Sequence, residues 1–73
     1  MTEQQQRFYV YIMERVEEKN QAKATELIEE CFARLGNGTF TPDFKKEYMQ
    51  KMMDLIKHEH RDEVKYIIQN FRP

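Results

Sequence analysis

The run Gly36-Asn37-Gly38-Thr39-Phe40-Thr41-Pro42 holds both glycines of the chain and one of its two prolines; the other is the last residue, Pro73. Glycine admits positive φ, and proline fixes φ and removes a donor, so these residues punctuate secondary structure. The segments on either side lack both and are free to be helical along their length. This one interruption predicts two helical halves joined by a loop at residues 36–41.

Each half carries its own helix signals. Thr2-Glu3-Gln4-Gln5 has the form of a capping box, which places the first helix start at residue 2. Phe8, Tyr9, Ile12, Met13 and Val16 then fall on one arc, with Glu14, Glu17 and Glu18 outside it. Phe-Tyr-Val-Tyr-Ile-Met is also a fair strand by composition. The cap before it and the glutamate-rich turn after it favour helix. Asn20 marks a turn, because a continuous helix to Leu35 would be about 50 Å long with its middle unpacked. A second arc of Ala24, Leu27, Ile28, Cys31, Phe32 and Leu35 follows, with Gly36 placed as its C-terminal cap.

Thr41, Pro42 and Asp43 read as N-cap, first-turn proline and an acid suited to the positive helix end. The third arc is the widest, with Phe44, Tyr48, Met49, Met52, Met53, Leu55 and Ile56. Polar residues around His58 interrupt it, and Val64, Ile67, Ile68 and Phe71 align in a fourth. The expected fold class is therefore all-α, a four-helix bundle built from two antiparallel helical hairpins. Its helices run at 2–18, 21–35, 42–58 and 62–71, with hairpins 2–35 and 42–71 in one domain, 1–73. An offset of 39 residues matches Tyr9 with Tyr48, Met13 with Met52, Ile28 with Ile67 and Phe32 with Phe71, a mild sign of tandem hairpins.

Composition narrows the function. Hydrophobic residues form 40% and charged residues 34% of 73 residues, enough apolar content to fold and little enough core to welcome a partner. Net charge is −1, divided into −2 for residues 1–36 (five basic, seven acidic) and +1 for 37–73 (seven basic, six acidic). No basic stripe marks a phosphate-binding face, so nucleic acid is not the expected partner. A single cysteine, Cys31, excludes a disulfide scaffold and suits a reducing cytoplasm. The first residues do not read as a secretory signal, and no apolar run approaches a membrane span. The expected localisation is cytoplasmic, and a start at Met1 without linkers suggests a stand-alone product of bacterial or phage type.

The residues that could carry chemistry have simpler readings. His58 and His60 are two apart and point to different sides of a helix, unlike a zinc-protease pair, so no metal site is expected. Cys31 lies among apolar neighbours late in its helix and reads as core. The carboxylates follow polar faces, and Gly36-Asn37-Gly38 lacks the lysine of a phosphate loop. No catalytic residue and no cofactor is expected. Val10, Tyr11, Met49, Met53 and Tyr66 lie off or at the edge of the core arcs. Methionine and tyrosine make adaptable contacts, so these five form the candidate interaction surface. The expected function is a small non-catalytic protein-interaction or regulatory module, docking on another protein or on its own copy as a possible homodimer. The alternative is a small transcription-regulatory nucleic-acid binder, which requires Lys45, Lys46, Lys51, Lys57, Arg61 and Lys65 to converge.

Overall fold

The computed structural model describes residues 1–70, and the Phe71 and Pro73 readings lie outside that range. The described chain is all-α, with α1 at Glu3–Met13, α2 at Gln21–Asn37, α3 at Pro42–Met53 and α4 at Arg61–Asn70. Phe8 to Met13 is helix, not strand. α1 packs on α2, α3 on α4, and α2 on α3. No helix among the described residues is long and apolar enough to cross a membrane.

The helix starts follow from their caps. Gln5 N–H donates to Thr2 Oγ1 at 3.1 Å and Thr2 N–H to Gln5 Oε1 at 3.0 Å, closing the capping box. At α3, Phe44 N–H donates to Thr41 Oγ1 at 3.1 Å and Pro42 occupies the first turn.

The helix ends differ from the expectation, and the reason is tertiary. α1 stops at Met13 rather than 18, and α3 at Met53 rather than 58, because Val16 and Ile56 leave their helices to form an antiparallel bridge. Glu17 N–H donates to Leu55 O at 3.1 Å and Lys57 N–H to Arg15 O at 2.9 Å. Each connection then makes a 3-10 turn, Glu18–Asn20 and His58–His60, before the next helix. Val16 and Ile56 are buried, and both are β-branched residues that accept extended backbone readily. Neither connection supplies these hydrogen bonds alone, so nothing local marks the break. Asn20 lies at this turn with φ −105°, outside the left-handed region.

The two halves correspond at an offset of 40, not 39. Phe8 and Tyr48, Ile12 and Met52, Val16 and Ile56, Ala24 and Val64, and Ile28 and Ile68 are all buried pairs at that spacing. The N-caps Thr2 and Thr41 are 39 apart, but α1 has 11 residues and α3 has 12, so everything downstream is shifted by one. The expected pairing of Tyr9 with Tyr48 matched a half-buried residue with a core one.

Leu27, Cys31 and Phe44 complete the core among the described residues. Cys31 is a buried core residue, and that burial pushes its thiol up to about 11. Tyr48 faces it, and burial raises the phenol well above its ordinary range. Among the described residues no nitrogen or oxygen pairs with the buried Tyr48 hydroxyl, which lies against the Cys31 thiol, whereas its counterpart Phe8 has no hydroxyl to satisfy.

α2 runs through Gly36 and ends at Asn37, and its C-cap is Gly38 at φ 77°. Thr39 N–H donates to Arg34 O at 2.9 Å, the long closing bond of a left-handed helix end. Gly36 is thus a helix-interior glycine with open space around its Cα. The two glycines should respond in opposite directions. Gly36→Ala is expected to stabilise by about 0.5–1 kcal/mol. Gly38→Ala is expected to cost about 1–2 kcal/mol, because an L residue is strained there. Thermal melts of the two variants check this; a loss at Gly36 and none at Gly38 would return the cap to residue 36.

Candidate interaction surface

The five residues singled out from the sequence do not share one site. Val10 on α1 and Tyr66 on α4 are exposed, at 46% and 65% of their surface. Tyr11 is half-buried and belongs to a polar clamp between α1 and α4. Only Met49 and Met53 lie together, half-buried against the core, on the floor of a groove between α3 and α4.

That groove has a volume of about 700 Å³ and is lined by Pro42, Lys45, Lys46, Met49, Gln50, Met53 and Asp54 from α3 and by Lys65 and Gln69 from α4. The methionines face it because they follow the core positions Tyr48 and Met52 by one residue, at the edge of the buried arc. Lysines at 45, 46 and 65 against Asp54 give the lining a charge of +2. Lys45 Nζ donates to Gln69 O at 3.2 Å, holding one lysine across the end of the groove.

The corresponding face of the first half, forty residues earlier, is built differently. Tyr9 replaces Met49, and its hydroxyl meets Thr25 Oγ1 at 3.2 Å, tying α1 to α2. Thr25, in the place of Lys65, also donates to Met13 Sδ at 3.8 Å. Gln5 and Gln6 stand where Lys45 and Lys46 stand, and Glu29 where Gln69 stands. With Glu14 in the place of Asp54, that face carries −2. One framework therefore bears a tied, acidic face in one half and a methionine-floored, basic groove in the other.

The lysines were missed as a site because each, taken along the chain, alternates with acids in the manner of a solvated helix face. Of the six basic residues required by a nucleic-acid reading, Lys45, Lys46 and Lys65 share the groove. Lys51 lines a separate hollow with Lys23, Leu27, Asp54 and Leu55. Lys57 lines another with Glu14, Glu17 and Glu18, an acidic setting. Arg61 lines none of these three.

The clamp centres on Glu63. Its Oε2 accepts from the Tyr11 hydroxyl at 2.7 Å and from Arg15 Nε at 3.1 Å, and its Oε1 lies 3.3 Å from His60 Nδ1. Arg15 also stacks on the Tyr11 ring at 3.8 Å and donates to Tyr11 O at 2.9 Å. The Tyr11 hydroxyl bond, then those from His60 and Arg15, hold the Glu63 carboxyl below its ordinary range. Burial chiefly, with Glu63 adding and Arg15 opposing, pushes the Tyr11 phenol up to about 12. His60 therefore pairs with the carboxylate one helical turn beyond it, while His58 is exposed. Among the described residues no group of three or more His, Cys, Asp or Glu side chains could hold a metal ion.

The clamp predicts a pH dependence whose sign is fixed. A carboxyl whose pKa is lower folded than unfolded stabilises the fold above the unfolded value, here 4.5, and that contribution disappears as pH falls below it. Glu63→Gln is expected to melt below the wild type at pH 7, with the gap narrowing progressively as pH falls below 4.5. A gap that does not narrow on acidification would make the loss one of packing rather than charge.

No protein-family model, curated protein or solved structure matches this chain.

Proposed function

We propose that this chain is a small cytoplasmic, non-catalytic protein-interaction or regulatory module whose docking surface is the groove between α3 and α4. One observation carries the reading: the two halves share a framework and a core pattern, yet only the second has lysines around methionines where the first has Tyr9 tied to Thr25. Methionine is unbranched and polarizable, so it adapts to an incoming apolar side chain. The partner is another protein or a second copy. A non-catalytic role agrees with the raised Cys31 thiol and with carboxylates spread along helix faces. The nucleic-acid alternative has less support, because half of its six basic residues lie outside the groove and one of those sits among glutamates.

We further infer that residues 3–37 and 42–70 each form an antiparallel hairpin and that the two make a compact four-helix bundle as one domain. The short connections, the packing of α1 on α2 and of α3 on α4, and the reciprocal bridge all support that arrangement.

A photoreactive amino acid at Gln50, on the groove, and a control at exposed Glu26, on α2, test the docking surface in cells that express the protein natively. A discrete adduct from position 50 alone, heterologous or homodimeric, is the expected result. Equal adducts from both positions, or none from either, would reject the groove.

A further inference from the structure

The groove's chemistry specifies its occupant more narrowly. Resting on the docking reading above, we propose that it receives an acidic amphipathic helix of a partner protein, seated with apolar side chains on Met49 and Met53 and carboxylates toward Lys45, Lys46 and Lys65. The charge of the lining, three lysines against Asp54, calls for an anionic partner. Its floor calls for apolar anchors, which a phosphate backbone does not provide. α3 is 12 residues long, about 18 Å, which matches three to four turns of an incoming helix.

Other occupants fit less well. A strand would need a sheet edge, and among the described residues the only β pairing is the isolated Val16–Ile56 bridge. A symmetric dimer pairing groove with groove would set one copy's lysines against the other's. A helix laid between α3 and α4 meets both requirements at once, with its apolar stripe down and its acidic flanks on the lysine rim.

Two synthetic peptides of about 14 residues test this, sharing one leucine stripe at helical spacing but flanked by glutamates in one and lysines in the other. The readout is the methyl signals of Met49 and Met53, assigned with Met→Leu variants of the intact protein. The expected result is saturable shifts with the acidic peptide, about tenfold tighter than with the basic one at low salt, the difference shrinking as salt rises. Lys46→Glu with Lys65→Glu should invert the order; Lys45 is left in place because it bonds Gln69 O. The wild-type comparison stands even if that variant fails to fold.

Equal or stronger binding of the basic peptide at the same methyls would overturn the acidic partner while leaving the groove a docking surface. Methyl shifts that follow protein concentration without peptide would overturn it in favour of a second copy. Silence with both peptides, together with shifts on adding a single-stranded oligonucleotide, would overturn this proposal and the docking reading together. Silence with all three ligands and at every protein concentration would overturn the acidic helix.

Discussion

Ile12→Ala and Met52→Ala are each expected to cost about 2–5 kcal/mol, more than any surface change in this chain. Both side chains have no exposed surface, and they occupy equivalent positions of the two halves, 40 residues apart. Truncation removes their transfer energy and leaves a cavity that close-packed neighbours fill only in part. A domain of 73 residues has a total stability of about 4–11 kcal/mol, so either change removes a large share of it. The melting temperature should fall by at least about 8 °C, at roughly 4–8 °C per kcal/mol for this size. Met52→Leu, which keeps the volume, should cost less than about 1.5 kcal/mol. Urea unfolding of the three variants is the measurement. A cost well under about 1 kcal/mol at either alanine would mean that the side chain is not close-packed at that position.

The features legible in the sequence are those set within one turn of helix. Thr2 with Gln5, and Thr41 with Pro42, specify helix starts because the donor, acceptor and fixed φ lie within a few residues of one another. The helical arcs were readable for the same reason: residues such as Phe8, Ile12, Ala24 and Ile28 repeat at the helical period and are all buried. The breaks after Met13 and Met53 were not, since they depend on hydrogen bonds to the opposite half. Gly36 and Gly38 are both good helix enders by residue type, and it is the left-handed backbone at Gly38, closed by the bond from Thr39 back to Arg34, that distinguishes them. The candidate surface divides in the same way. Met49 and Met53 stood out by their place on one helix, whereas Lys65 joins Lys45 and Lys46 only through the packing of α4 on α3. Comparison at an offset of 40 would have exposed the contrast of Lys45, Lys46 and Lys65 with Gln5, Gln6 and Thr25, but the identities favoured 39.

The bridge between the halves can be tested without disturbing a side-chain contact in the core. Glu17 and Lys57 both have φ −56° and ψ 137°, values that proline adopts without strain. The residues before them, Val16 and Ile56, are in the extended bridge, the conformation that a following proline favours. Proline at either site therefore deletes one backbone donor and little else, with Glu17→Ala and Lys57→Ala as references for the lost side chains. The two sites are not equivalent. Leu55 O, which loses Glu17 N–H, keeps the Asn20 side-chain amide at 3.4 Å. Among the described residues Arg15 O, which loses Lys57 N–H, has no such substitute, because His60, the counterpart of Asn20, turns its ring to Glu63. An unsatisfied carbonyl costs about 1–3 kcal/mol, against a gain of about 0.4–1 kcal/mol from restricting the unfolded chain. Lys57→Pro is expected to destabilise by about 1–2 kcal/mol relative to its alanine reference, and Glu17→Pro by distinctly less. Adding Asn20→Ala to Glu17→Pro should bring the two losses level. The double proline variant removes both bonds and should be the least stable, with a combined loss that departs from the sum because both bonds belong to one bridge. If both prolines instead raise stability by the unfolded-chain gain alone, the bridge contributes nothing, and side-chain packing alone joins the halves.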